Sequence, residues 1–149
     1  MMRRPILLAG IFLILAVATA EGAETLVCDY KEQFKGGGSR EVRLELATEG
    51  GEVTGISYHN AIASGKEGGG YMCAFDASAA GGDSTWTRKG HQMFVELKDG
   101  KNSTFEIRKS KKGFMLLFLD MSLEYYGFGA EFPESVTLDR GKKKCRVKF

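Results

Sequence analysis

The chain has 149 residues and a formal net charge of +2, enough for one folded unit and too little for two separate cores. From Glu21 onward, 19 Lys and Arg stand against 19 Asp and Glu, and this neutrality argues against a general nucleic-acid binder, which would be basic. The balance is uneven, because residues 21–100 carry 8 basic and 13 acidic side chains and residues 101–149 carry 11 and 6.

The first twenty residues read as a secretory signal peptide. MMRRP supplies the positive start, Ile6 to Val17 is apolar and uncharged, and Ala18-Thr19-Ala20 offers small residues for cleavage. The apolar run is shorter than the roughly 20 residues a bilayer crossing needs. Cleavage near Ala20 leaves one expected domain, residues 21–149, without a stable membrane anchor and located in the periplasm or outside the cell. Three cysteines then reach an oxidising compartment, Cys28, Cys73 and Cys145, which predicts one disulfide and one spare thiol. Joining Cys28 to Cys145 would close a loop of more than a hundred residues, worth up to about 4–5 kcal/mol through the entropy taken from the unfolded chain. Cys28 with Cys73 is the rival pairing, and both remain open at this point.

From there the chain alternates with period two. In EVRLELA, Val42, Leu44 and Leu46 face one way while Arg43 and Glu45 face the other, the pattern of a half-buried strand. HQMFVELK repeats it with Met93, Val95 and Leu97, and STFEIRK repeats it with Phe105 and Ile107. Phe114 to Leu119 is apolar throughout, which predicts a strand covered on both faces. Between these runs lie KGGGS (35–39), EGG (49–51), AAGGD (79–83), KDGKN (98–102) and SKKG (110–113), the punctuation of hairpins. MSLEYYGFGAEF, near 121–132, is the best place for a short helix or irregular excursion, and LDRGKKKCRVKF is a local positive patch that reads as an edge strand guarded by lysines rather than as a polyanion site. The expected fold is all-β, a compact antiparallel sandwich or small barrel of about eight strands.

Little in the sequence supplies catalytic chemistry. Gly65-Lys66 in ASGKEGGGY lacks the following Ser or Thr and the strand-to-helix setting of a phosphate loop, and no G-x-S-x-G elbow occurs. His59 and His91 stand alone, without a second His or Cys at metal-ligand spacing. Glu124 and Glu131, in an aromatic stretch, are the one carboxylate pair with a semi-apolar setting. No enzyme, metal or cofactor is therefore expected. Binding suits the residues better: Gly65, Gly68, Gly69 and Gly70 let a loop approach another surface closely, flanked by Ser64, Lys66, Glu67 and Tyr71.

Further on, Trp86 precedes Arg88-Lys89-Gly90, a cationic turn. Together Cys28 in LVCDY, Ala63-Ser64-Gly65 with Tyr71, Trp86 with Lys89-Gly90, and Cys145 resemble, in that order, the membrane-bound and periplasmic inhibitors of c-type lysozyme. That resemblance covers roughly two thirds of the exported chain. It implies that a protruding loop blocks the hydrolase cleft, with the Ser64 hydroxyl and the Lys89 ammonium directed at the two catalytic carboxyl groups, and with Tyr71 and Trp86 as supports or rim anchors. Lys66 is a rival for the role of Lys89. The alternative is an exported β-sandwich that binds a toxin, another envelope protein or a glycan, motivated by Leu123 to Pro133, which the resemblance does not explain.

Overall fold

The computed structural model describes residues 22–65, 69–99, 101–122 and 131–149. The expected signal peptide, Lys66 and residues 123–130 of the aromatic stretch lie outside them. The described chain forms ten strands in two antiparallel sheets, two strands more than the punctuation suggests. The first sheet is a meander of β1 (Glu24–Gln33), β2 (Gly38–Glu49), β3 (Glu52–Ser64) and β4 (Gly70–Ser78), in that order. The second is a six-stranded meander of β5 (Ser84–Lys89), β6 (Gln92–Leu97), β7 (Thr104–Lys109), β8 (Gly113–Asp120), β9 (Ser135–Asp139) and β10 (Arg146–Lys148).

The alternating runs fill the space between the sheets. Val42, Leu44 and Leu46 from β2 and Val95 and Leu97 from β6 are buried, as are Phe105 and Ile107 from β7. Tyr58 stacks on Phe75 and Phe132, at 5.2 and 5.5 Å between ring centroids, and Phe105 reaches Phe75 from the opposite sheet at 5.6 Å. Aromatic contacts of this kind add to the burial of their area. Strand β8 departs from its expectation. Phe114 and Leu116 are buried, but on the outer face Met115 is exposed, Leu117 is half-buried and Leu119 is 53 % exposed, so the apolar run is fully covered on its inner face only.

The sandwich is closed along both sides. On one side the chain itself passes from β4 to β5 through residues 79–83. On the other, Cys28 of β1 is bonded to Cys145, just before β10. Cys73 is the free cysteine, buried beneath β4. The disulfide is consistent with an oxidising, exported setting, and no helix among the described residues is long and apolar enough to cross a membrane.

Candidate functional site

Two glycine turns meet at one end of the first sheet. The turn between β1 and β2 contributes Gly37 and Gly38, both at positive φ (+89° and +91°), where side chains are strained. Gly65, just after β3, packs backbone to backbone against Gly37, and a Cβ on Gly65 would meet the Gly37 carbonyl carbon at 3.0 Å. A Cβ on Gly38 would run into the Ala63 carbonyl oxygen. The two turns are thereby locked into one composite tip. Ser64 closes the β3–β4 loop, its amide donating to the Gly69 carbonyl at 2.6 Å and its hydroxyl donating to the same oxygen. The Ser64 side chain stays exposed.

Below the tip, the outer face of the sheet is shallow because its residues are small. Ser39, Ala61, Ala63 and Gly70 line an open groove of about 540 Å³ with Glu41 and Met72. Met72 is 71 % exposed, and its sulfur lies 3.3 Å from His59 Nε2.

The inner face at this end is polar. The Arg40 guanidinium donates to Glu32 at 3.1 Å and to Glu131, and its carbon lies 3.7 Å from the Phe149 ring centroid. The Asn60 amide donates to the Glu131 carbonyl, and the Glu131 N–H donates to the Tyr71 hydroxyl. Glu131 is thus fastened to three strands, and its carboxylate, more than half exposed, serves Arg40 as an ion-pair partner. Tyr71 is a tie within the protein, its hydroxyl held above the ordinary phenol range first of all by burial. Tyr58 and Asn60 are each only 1 % exposed, yet the Tyr58 hydroxyl and Asn60 Oδ1 have no hydrogen-bond partner among the described residues, a costly arrangement. Sequence reading missed this cluster. The one signal for it is Asn60, a polar residue at an inward position between Tyr58 and Ile62.

Lys89 and Gly90 lie at the other end of the molecule. Arg88, beside Lys89, donates to Glu52 at 2.6 Å, and Lys109 reaches the same carboxylate at 3.3 Å. Glu52 opens β3 and Ser64 closes it, so about 40 Å of strand separates the two residues at about 3.3 Å per step. The structure does not bring Ser64 and Lys89 together. The Arg88 hydrogen bond, joined by that of Lys109, holds the Glu52 carboxyl below the usual carboxylate range. Glu52, His91, Met93 and Lys109 border a cleft of about 310 Å³. Gly90 takes φ +63° in the β5–β6 turn, and Lys89 sits 5.3 Å over the Phe94 ring. Trp86 packs against the core and donates its indole N–H to Ser84 Oγ at 2.9 Å, so it too is a support.

Two further groups are buried without a part in either end. Burial pushes the Cys73 thiol up to about 11. Glu106 faces outward by register but is flanked on neighbouring strands by Phe94 and Leu117. Hydrogen bonds from Arg108, then Gln92, hold its carboxyl below the usual range. Among the described residues, no group of three His, Cys, Asp or Glu is placed to hold a metal ion. The described chain is a disulfide-closed β-sandwich with closely packed glycines at one end and a cationic turn at the other. No protein-family model, curated protein or solved structure matches it.

Proposed function

We propose that the chain is an exported, non-catalytic binding protein that presents the composite tip of the β1–β2 and β3–β4 turns to another macromolecule. The observation that carries this reading is the backbone packing of Gly37 and Gly38 against Gly65 and Ala63. A loop of glycines would ordinarily lose much entropy on binding. Here Gly37 and Gly38 are already packed against Ala63 and Gly65, with Ser64 exposed beside them, so a partner would meet a base that is in part preorganised.

A peptidoglycan-cleaving hydrolase, in particular a c-type lysozyme, is the partner suggested by the sequence resemblance. In the form the geometry supports, Ser64 acts from the tip alone. Lys89, some 40 Å along the strand direction, takes no part in the same cleft. The test is lysozyme turnover on cell walls with an excess of the exported domain. Inhibition that is weakened about tenfold or more by Ser64→Ala, and unchanged by Lys89→Ala, is the expected result, since truncating one partner of a buried polar contact costs on the order of 2 kcal/mol or more. Undisturbed turnover would remove lysozyme as the partner. The wider reading is then decided by pull-down from an envelope extract, where loss of the captured protein on changing Ser64 and Met72 places contact at the tip.

A further inference from the structure

Three of the five connections of the six-stranded sheet lie at one end, and they carry a concentration of positive charge that the neutral balance after Glu21 conceals. The β5–β6 turn brings Arg88 and Lys89. The β7–β8 turn brings Lys109, Lys111 and Lys112, and the segment between β9 and β10 brings Arg140 and Lys142 to Lys144. Nine of the 19 basic residues after Glu21 therefore lie in residues 88–91, 109–112 and 139–144, with Asp139 as the one acid there.

These turns form a continuous ridge. The Lys109 amide donates to the His91 carbonyl at 3.1 Å and the Arg140 amide donates to the Lys112 carbonyl at 2.7 Å, so each tip is bonded to the next. Six strands at about 4.8 Å spacing make the ridge about 24 Å long. Glu52 engages Arg88 and Lys109, and Asp139 engages Lys142 and Arg146. Lys89, Lys111, Lys112, Lys143 and Lys144 form no ion pair among the described residues. Neighbouring tips lie about one Debye length apart at physiological salt, so their fields add.

Protection of a sheet edge explains lysines on β10, the edge strand. It does not explain Lys111 and Lys112, which join the interior strands β7 and β8. Turn chemistry does not ask for them either, since turns favour Gly, Asn, Asp, Ser and Pro.

We infer that this ridge binds a linear anionic glycan, a polysaccharide bearing regularly repeated carboxylate, sulfate or phosphate groups. The charge runs as a single row. On the facing sheet, the β2–β3 turn beside it carries Glu49 and Glu52, so a flat anionic surface would meet acid as well as base, whereas a chain lying along the row meets base alone. The rings at the ridge are Phe94, beneath Lys89, Phe114, 2 % exposed, and the exposed imidazole of His91. One small imidazole is not the succession of open aromatic faces on which single-stranded nucleic acid stacks.

The experiment measures binding of the intact exported domain to heparin and to polygalacturonate across a salt series. Lys111→Ala with Lys112→Ala is compared with Lys31→Ala and Lys35→Ala, an equal charge deletion outside the three turns. Expected are binding at 0.1 M salt, weakening by about 25-fold in the ridge variant at about fivefold per lysine, and a salt dependence shallower by about two units of log–log slope. The control pair stays within twofold of the parent. Equal loss in both variants, no retention at 0.1 M salt, or tighter binding to duplex DNA or to phosphatidylglycerol vesicles than to either glycan would each overturn the assignment. Since the tip lies at the other end, Ser64→Ala leaves glycan binding unchanged, and failure of one proposal is visible separately from failure of the other.

Discussion

Cys73 shows how a residue's surroundings decide its chemistry. It is 4 % exposed on the inner face of β4, and burial raises its thiol to about 11. The thiolate is the reactive form, so at pH 8 the native protein holds almost none of it, and what exists is shielded. With Cys28 and Cys145 joined, an aromatic disulfide reagent should titrate no thiol per chain in native buffer and one in denaturant. A rapidly reacting thiol in the native protein would show that the pairing is different. The same interior explains why Tyr58 lies well above the ordinary phenol range, with desolvation the leading cause. Among the described residues, the Tyr58 hydroxyl and Asn60 Oδ1 lack a hydrogen bond of good geometry at this level of the core.

Among the elements, the tip makes the sharpest structural demand. Gly38 needs positive φ and has the Ala63 carbonyl where a Cβ would go, while Gly36, two residues earlier in the same turn, has open space and ordinary φ. Gly38→Ala is expected to cost about 1–3 kcal/mol and Gly36→Ala to lie within about 1 kcal/mol of the parent on the stabilising side, both read from urea unfolding midpoints. Equal effects would mean that the two turns do not lock. The strands themselves were legible: Val42, Leu44 and Leu46 declare their face by period two, and each glycine-rich stretch marks a real turn. Period does not tell how many neighbours cover the outer face, which is why Met115 and Leu119 of an apolar run are exposed. Nor does it tell at which end a turn emerges. A simple meander would place the β3–β4 and β5–β6 turns at the same end, and Ser64 near Lys89. Instead residues 79–83 double back: Ala79 bonds Thr54, whereas Lys98 donates its amide to Asp83 beside Phe75, farther up the sheet. Strand β5 then runs toward Glu52, and Lys89 emerges at the far end. Five residues of backbone path, invisible to hydrophobic pattern, separate the two halves of the surface that the sequence motifs suggested.

For the whole molecule, the decisive constraint is the bond between its first strand and its last. Each sheet is a meander built from neighbouring hairpins, so almost all pairing is local, and only residues 79–83 carry the chain from one sheet to the other. Along the opposite side, β1 meets the second sheet mainly through β9, and the Cys28–Cys145 bond spans a sequence separation of 117. A closure of that length removes entropy from the unfolded chain worth about 4–5 kcal/mol, a large part of the 5–15 kcal/mol that typically separates folded from unfolded domains. The same bond holds the segment from Asp139 to Cys145 in place, and with it the lysines that complete the basic ridge. Cys28→Ser combined with Cys145→Ser should lower unfolding stability by about 4 kcal/mol in urea and weaken glycan binding, while leaving Ser64 and its glycine turns ordered. The double substitution is needed because either single variant frees a cysteine that competes for Cys73 during folding. A loss below about 1 kcal/mol would mean that β1 and β9 hold that side of the sandwich without help from the disulfide.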